Sequence, residues 1–470
     1  MSENESRNLG DVCVLGLGKT GEAVAEYLLG LREDGRVGSV TVYGGLKSEP
    51  SDATRALEAE GAKVIFGTES VEGHYDLAVS SPGISEFSDF YASAAAAASE
   101  VIGEPELAWR ESPERWVGIT GTNGKTTTTT LTRDLLRAGG RCAEAVGNIG
   151  TMCVGEVARR APGEWLVAEL SSFQLATSKE LRPHVAVLLN VTPDHLYWHN
   201  TMENYAAAKE KVFANLGEGD LAVISDGDSW CRDIAKRVSA RGIRVCRLLG
   251  AGELPRADEA CAAWEAADGM LVVRIDGADI RLVNKSQLSI FGEHNVENAL
   301  AASAAVLACG VSAADVREGL VSFAPLEHRI EPCGEMGGVR FVNDSKATNT
   351  DAVSKALTAF EPGSVIILLG GHDKGTDLAE MAADVASCAR VAVCFGEAGE
   401  RIAASVREAG GKVELAEHLE QALDASIALA HEGDVVLLSP ACSSFDEFSG
   451  FEERGRVFKA LVANRIAAGE

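Results

Sequence analysis

A chain of 470 residues is too long for one hydrophobic core and suits about three domains. Its net charge of −27 excludes unspecific binding to nucleic acid or to an anionic membrane, both of which need basic surface. Anionic substrates must therefore be met by placed cations and metal ions. Hydrophobic residues make up 46% and charged residues 24%, the balance of an ordinary globular protein. None of the 11 cysteines forms a C-x-x-C pair, which predicts buried free thiols in a reducing compartment. The N-terminus is polar and acidic, unlike a signal peptide, and no apolar run approaches the ~20 residues of a membrane span. The expectation is a cytoplasmic protein with no integral membrane segment and no nucleic-acid partner.

Residues 11–15 read as a buried parallel strand, followed by Gly16-Leu-Gly-Lys-Thr-Gly21 and a helix through Ala23, Val24, Tyr27 and Leu28. This is G-x-G-x-x-G in a strand-to-helix context, where a pyrophosphate can sit at the helix N-terminus. A nicotinamide dinucleotide site wants an acid at the end of the next strand, residues 39–43, but Tyr43 stands there, followed by Gly44 and Gly45. The alternation continues through strands at 63–66 and 77–80. The latter runs into Ser81-Pro-Gly-Ile84, either a ligand loop at the carboxyl edge of the sheet or a plain Pro-Gly turn. Residues 91–98 read as a helix, and a domain boundary follows near Gly103-Glu-Pro105.

The apolar strand end Trp116, Val117, Ile119 leads into Gly121-Thr-Asn-Gly-Lys125-Thr126, and a helix continues through Leu131, Leu135 and Leu136. Glycines let backbone N–H groups converge on phosphate oxygens, the Lys reaches the outer phosphates, and the Thr hydroxyl can ligate Mg²⁺. The common G-x-x-x-x-G-K-[ST] pattern is incomplete, since Ile119 stands where its first Gly would be. An ordinary glycine turn opening a helix is the alternative. Strand 165–168 ends in Glu169, and strand 185–190 is followed by Val-Thr-Pro-Asp194-His195. A carboxylate at the end of a buried strand is costly unless paired or metal-bound, and two such strand ends beside a phosphate loop suggest Mg²⁺. The helix at 202–215 carries Lys209, which spacing alone leaves as a solvated lysine. Further strands and one helix fill 218–284. His294, Asn295 and Asn298 fall within one turn of an alanine-rich helix, where they can face a nucleotide base or serve as caps.

A second boundary lies near Phe323-Ala-Pro325, followed by Leu326-Glu-His-Arg329. Strands at 339–342, 364–369, 391–394 and 434–438 give a third α/β unit. Its strand-end loops carry Lys346, Thr348, Lys374 and Ser444, a set of cations and hydroxyls suited to a carboxylate or phosphate.

Together these motifs resemble the Mur ligase family across essentially the whole chain. The shared marks are G-T-N-G-K-T (121–126), E-L-S-S-F-Q-L (169–175), N-V-T-P-D-H (190–195), H-N-x-x-N (294–298), E-H-R (327–329) and N-D-S-K-A-T-N (343–349). G-G-x-x-K (370–374) and L-S-P-A-C-S-S-F-D-E-F-x-x-F-E-x-R-G (438–455) resemble the D-glutamate-adding branch. The resemblance implies an α/β fold of three domains, each a mostly parallel sheet flanked by helices. These are a Rossmann-like domain at 1–103 for the UDP-linked substrate, a P-loop domain at 104–325 for ATP, and a Rossmann-like domain at 326–470 for the amino acid.

It also implies an ATP-dependent, monomeric ligase joining D-glutamate to UDP-N-acetylmuramoyl-L-alanine through an acyl phosphate, in peptidoglycan precursor synthesis. The UDP-linked substrate would lie on Gly18, Lys19, Thr20, Ser81, Pro82, Gly83 and Asn148. ATP would lie on Gly121, Thr122, Asn123, Gly124, Lys125, Thr126, Thr127, Asn295, Arg329 and Asp344. Two Mg²⁺ ions would be held, one by Thr126 and Glu169, the other by His195 and Lys209. In the family this lysine is carbamylated, which turns a cation into an oxygen ligand. D-glutamate would meet His195, Lys346, Thr348, Lys374, Ser444, Phe445 and Phe451, and the catalytic residues would be Lys125, His195, Lys209 and Lys346.

Three departures stand out. Tyr43 occupies the place of an acid near the uracil, Tyr197-Trp198 stands where the family shows Asp-Arg, and Phe445 replaces a common Leu. A sister ligase lacks support, because no D-N-P-R-type motif for a diamino acid is present. An NAD-dependent oxidoreductase is disfavoured by Tyr43 and the second phosphate loop. A nucleotide-gated switch leaves the strand-end lysines without a purpose.

Overall fold

The computed structural model describes residues 7–290, 292–324, 326–373 and 375–469. Lys374 therefore lies outside the described residues. Two compact units are formed, one by residues up to 285 with Glu297–Leu320, the other by Ser286–Val296 with residues 321–470.

In the first unit, β1 (Gly10–Leu15), β2 (Val37–Tyr43), β3 (Lys63–Ile65), β4 (Leu77–Ser80) and β5 (Val101–Gly103) make a parallel sheet ordered β3-β2-β1-β4-β5. Val12, Val14, Val40, Val42 and Val79 are buried, the apolar run expected of strands covered on both faces. The chain order reverses between β1 and β4. That opens a crevice at their carboxyl ends, where Gly16 and Ser81 follow Leu15 and Ser80. Gly21 must be glycine, since a Cβ there would overlap the Gly16 carbonyl oxygen.

The second sheet of this unit contains β6 (Trp116–Thr120), β7 (Ala143–Gly147), β8 (Trp165–Glu169), β9 (Val185–Leu188), β10 (Leu221–Ser225), β11 (Arg244–Leu248), β12 (Ala262–Glu265), β13 (Met270–Ile275) and β14 (Ala278–Asn284). Its order is β14-β13-β12-β11-β10-β9-β6-β8-β7, antiparallel only through β12, β13 and β14. β6 lies between β8 and β9, so the loop after Thr120 emerges beside both Glu169 and Asn190. The helix after β8 starts with a capping box between Ser171 and Gln174, which fixes how the chain leaves Glu169.

In the second unit, β15 (Glu331–Met336), β16 (Val339–Asn343), β17 (Val365–Gly370), β18 (Ala389–Phe395), β19 (Val413–Leu415) and β20 (Val435–Ala441) order as β15-β16-β20-β17-β18-β19. Only β15 is antiparallel. The carboxyl ends of β16, β20 and β17 are neighbours, so the loops from 344, 442 and 371 leave one stretch of sheet edge.

The mostly parallel α/β sheets agree with the sequence reading. At Gly103-Glu-Pro105, β5 ends at Gly103, and the helix Glu104–Glu111 follows with Pro105 in its first turn. Among the described residues no helix is long and apolar enough to cross a membrane.

Candidate active site

The loop after β6 is a backbone cradle held open from below. Thr122 N–H donates to Asn190 O at 2.9 Å, and Asn123 N–H donates to Asn190 Oδ1 at 2.8 Å. Gly124 has φ +85°, and a Cβ there would collide with Asn298 Oδ1, which already accepts from Thr128 Oγ1 at 3.1 Å. Thr126 and the buried Thr127 follow in the first turn of the helix Lys125–Ala138, whose N-terminal end favours anions.

Two lysines meet this loop. Lys125 Nζ donates to Gly121 O at 2.9 Å and to Thr122 O at 2.8 Å. Lys209 Nζ donates to Gly121 O at 2.6 Å and sits 4.7 Å from the centre of the Tyr205 ring. The solvated lysine expected from spacing is thus incorrect, because Lys209 is 1% exposed. Its helix, Met202–Glu210, is capped by Thr201 and tied to the loop by a 2.9 Å hydrogen bond between Tyr205 Oη and Thr122 Oγ1. Burial, and then the charge of Lys125, hold the Lys209 amine well below the ordinary lysine range, with Asp194 and Glu169 opposing.

Glu169 is 2% exposed at the end of β8. Asn148 Nδ2 donates to its Oε1 at 2.8 Å, while its buried Oε2 has no hydrogen-bond partner. An orphaned carboxylate oxygen at a strand end beside this glycine loop has the chemistry of a cation ligand. His195, with φ +54°, occupies a left-handed conformation that is uncommon for a residue with a side chain. Its ring packs 4.8 Å from that of Phe173, centre to centre, and is half exposed.

Beyond His195 only one of the two departures, Trp198, enters a small apolar core, with Ala176, Ala208 and Phe173. Trp198 is buried and stacks on Phe173 at 4.7 Å, whereas Tyr197 is 81% exposed. His199 is fully buried, shares a 2.9 Å hydrogen bond with Ser172 Oγ, and is pushed down to about 4 by burial and by the charges of Lys209 and His195.

In the first sheet, Gly18, Lys19 and Gly83 are exposed, while Thr20 and Pro82 are half-buried at the same edge. Thr20 Oγ1 donates to Met152 Sδ, and Ser81 Oγ is a buried hydroxyl with no hydrogen-bond partner. Tyr43 points inward instead. It is 1% exposed, its hydroxyl donates to Glu72 O at 3.0 Å, and it accepts from Glu72 N–H at 3.1 Å.

In the second unit, Asp344 directly follows β16, which pairs with β20. Ser439 Oγ donates to its Oδ2 at 2.8 Å and Ile330 N–H to its Oδ1 at 3.3 Å. Burial pushes this carboxyl up to about 7, against the Ser439 hydroxyl and the Arg329 charge. His328 and Ile330, either side of Arg329, have φ +64° and +43°, left-handed conformations that persist only where the surrounding structure enforces them. Lys346 Nζ lies 4.7 Å from the centre of the Phe451 ring, and Thr348 N–H donates to Lys346 O. Ser444 is 2% exposed with an Oγ lacking a hydrogen-bond partner, as has its neighbour Ser443 Oγ; Phe445 is 70% exposed. His294 is pushed down to about 4, chiefly by burial and then by the charge of Lys355. Asn295, one residue on, is buried.

Residues 119–306 match the family described as the Mur ligase middle domain, and residues 328–442 match the Mur ligase, glutamate ligase domain. The chain belongs to the Mur ligase family. Among its relatives, UDP-N-acetylmuramoylalanine–D-glutamate ligase of Pelotomaculum thermopropionicum is 38% identical, covering 96% of this chain and 97% of its own. The enzyme of the same name from Geobacillus kaustophilus is 40% identical, covering 95% and 96%. Solved Mur ligase folds are similar at lower identity. Thermotoga maritima MurF ligase in complex with ADP has a TM-score of 0.58 at 19% identity, covering 98% of this chain and 96% of its own.

Several residues placed at these Mur ligase loops were not singled out from the sequence. Tyr205 is one, through Thr122; Asn190 stood in the N-V-T-P-D-H mark, but its role as the support of the loop backbone was not read from it. The only available signal for Tyr205 was its position four residues, one helical turn, before Lys209.

Proposed function

We propose that this chain is an ATP-dependent ligase that joins D-glutamate to UDP-N-acetylmuramoyl-L-alanine, releasing ADP and phosphate, in peptidoglycan precursor synthesis. The observation that carries the reading is the 38–40% identity, over 95–96% of the chain, to ligases bearing that name. The eleven free cysteines fit a cytoplasmic enzyme, the compartment that supplies ATP and nucleotide-linked sugars. We read it as a monomer.

A carboxylate is a poor acyl donor. Its oxygen attacks the γ-phosphorus of ATP, ADP leaves, and the resulting acyl phosphate is attacked by the amine of D-glutamate. The tetrahedral adduct collapses by expelling phosphate, leaving an amide. Several anions must share one site, so catalysis rests on holding them and offsetting their charge.

The N–H groups of Gly124 and of the first turn of the helix Lys125–Ala138 would cradle the phosphates, with Lys125 exchanging its loop carbonyls for phosphate oxygens. Asn295, Arg329 and Asp344 would contact the nucleotide. Glu169 Oε2, buried without a partner, suits a divalent cation together with the Thr126 hydroxyl. Lys209, buried at the same loop, is read as the carbamate formed from its amine and CO₂ with loss of a proton, sharing a second cation with His195. Two bound Mg²⁺ ions would supply neutralisation of phosphate charge. Lys346, Thr348, Ser444 and Phe451, with Lys374, are read as the D-glutamate site, and the loops at 16–21 and 81–84 as the site of the UDP group.

The deciding assay is phosphate release by the purified chain with ATP, Mg²⁺, UDP-N-acetylmuramoyl-L-alanine and single amino acids. Turnover is expected with D-glutamate. Equal turnover with L-alanine or lysine would reject the assignment.

A further inference from the structure

The largest buried cation of the second unit is used by no step above. Arg454 lies near the start of the helix Phe451–Ala468 and is 0% exposed. Its guanidinium meets neutral acceptors only. Nε donates to Ser345 Oγ at 3.0 Å, and Nη2 donates to Ser345 O at 2.8 Å and to Cys442 O at 3.0 Å. Nη1 points at Gly370 O, 3.5 Å away. Among the described residues Arg454 forms no ion pair. Burying a guanidinium without a carboxylate costs several kcal/mol, of which hydrogen bonds offset only part. Burial lowers its pKa to about 10, so it remains charged at neutral pH.

The three acceptors have one thing in common. Ser345 follows β16, Cys442 follows β20, and Gly370 ends β17, the three adjacent strands whose loops leave the same edge. Each acceptor residue opens a loop that carries a residue of the amino-acid site or its neighbour. Lys346 comes after Ser345, Ser443 and Ser444 after Cys442, and Gly371 after Gly370. A Cβ at Gly371 would stand 3.0 Å from Nη1, so this loop is packed directly on the guanidinium. Ser345 Oγ passes the link on by donating to Phe451 O at 2.9 Å, and Phe451 carries the ring under Lys346. His372 N–H donates to Ser443 O at 2.8 Å and ties the remaining two loops to each other.

We propose that Arg454 is the positioning residue of the amino-acid site. Its rigid, planar fork sets the spacing of the Lys346, Ser444 and Gly371 loops, so that cation and hydroxyls converge on a dicarboxylate. A flexible lysine has three donors on one point and cannot span three carbonyl groups in a plane. This inference rests on the reading of that site as the D-glutamate site.

The test uses the full-length enzyme carrying Arg454→Lys or Ser345→Ala, with thermal unfolding and the KM of each substrate measured separately. Arg454→Lys is expected to raise the KM for D-glutamate at least ~10-fold, the scale of one misplaced charged hydrogen bond. The KM for the UDP-linked substrate should stay within about twofold, since, among the described residues, Arg454 makes no hydrogen bond to the loops at 16–21 and 81–84. Ser345→Ala, which removes one acceptor and leaves the guanidinium, should raise the same constant by a smaller factor. If Arg454→Lys loses cooperative unfolding, Ser345→Ala decides alone. An unchanged KM for D-glutamate, or an equal rise for all three substrates, would overturn the proposal. Failure of the underlying reading looks different: the unaltered enzyme would then show no D-glutamate-dependent phosphate release.

Discussion

Lys209 Nζ and the Gly121 carbonyl lie 2.6 Å apart, so a residue on a helix far along the chain reaches into the loop after β6. If Lys209 carries a carbamate there, Lys209→Ala removes an anionic ligand. Turnover should fall at least ~10²-fold, the scale of losing one preorganised electrostatic contact. Acetate, which can enter the vacated position, should restore part of the rate, while bicarbonate should not, because no amine remains to react. Near-normal turnover in the variant would remove Lys209 from the site.

Lys125 bonds two carbonyl groups of its own loop and packs no core. Lys125→Ala should therefore abolish phosphate release while leaving the unfolding midpoint nearly unchanged. Surface-like substitutions shift stability by about 0.5 kcal/mol or less. A variant that loses its cooperative transition together with its activity would point to a structural lysine instead.

The strand-to-loop junctions were legible because glycine, lysine and strand-end acids follow local rules. Gly121–Thr126, Glu169 and Asp194-His195 all stand at the carboxyl ends of strands in one sheet. What was hidden depends on contacts between distant segments. Lys209 sits on a helix face of alanines, a pattern that carries no signal of burial until Tyr205 reaches Thr122. The helix Glu104–Glu111 has too few apolar residues to reveal itself as buried. Yet Glu106 is 0% exposed and accepts three backbone N–H groups, from Lys179, Glu180 and Leu181. Tyr43 illustrates the reverse: its departure from an acid was visible, but only the fold reveals that its hydroxyl faces Glu72 and Tyr75.

Gly124 offers a test of the cradle that leaves every charged group in place. At φ +85° an alanine pays about 1–2 kcal/mol for the left-handed conformation, and its methyl would also press on Asn298 Oδ1. Gly124→Ala should lower the unfolding midpoint and raise the KM for ATP. Adding Asn298→Ala relieves the clash but leaves the buried Thr128 hydroxyl without this acceptor, so neither the midpoint nor the KM should recover fully. Full recovery of both would mean that the loop conformation is unimportant for nucleotide binding.

Glu104 makes the stability of the first unit depend on pH. It is 1% exposed; Oε1 accepts from Val154 N–H at 2.8 Å, and Oε2 has no hydrogen-bond partner. Burial raises its carboxyl from the ordinary 4.5 to about 7, against the pull of the Val154 and Cys153 N–H groups. The folded chain thus holds this proton more tightly than the unfolded chain. The stabilisation is complete below about 4.5 and is lost as pH rises through about 7. A gap of that width is worth on the order of 3 kcal/mol at most. Glu104→Gln keeps an oxygen acceptor for Val154 and has no proton to lose. Its unfolding midpoint, measured relative to the unaltered chain, should therefore be higher at pH 8 than at pH 5. Other titrating groups, Asp344 among them, are common to both proteins and cancel in the comparison. A midpoint difference that stays constant between pH 5 and pH 8 would show that Glu104 does not carry the pH dependence.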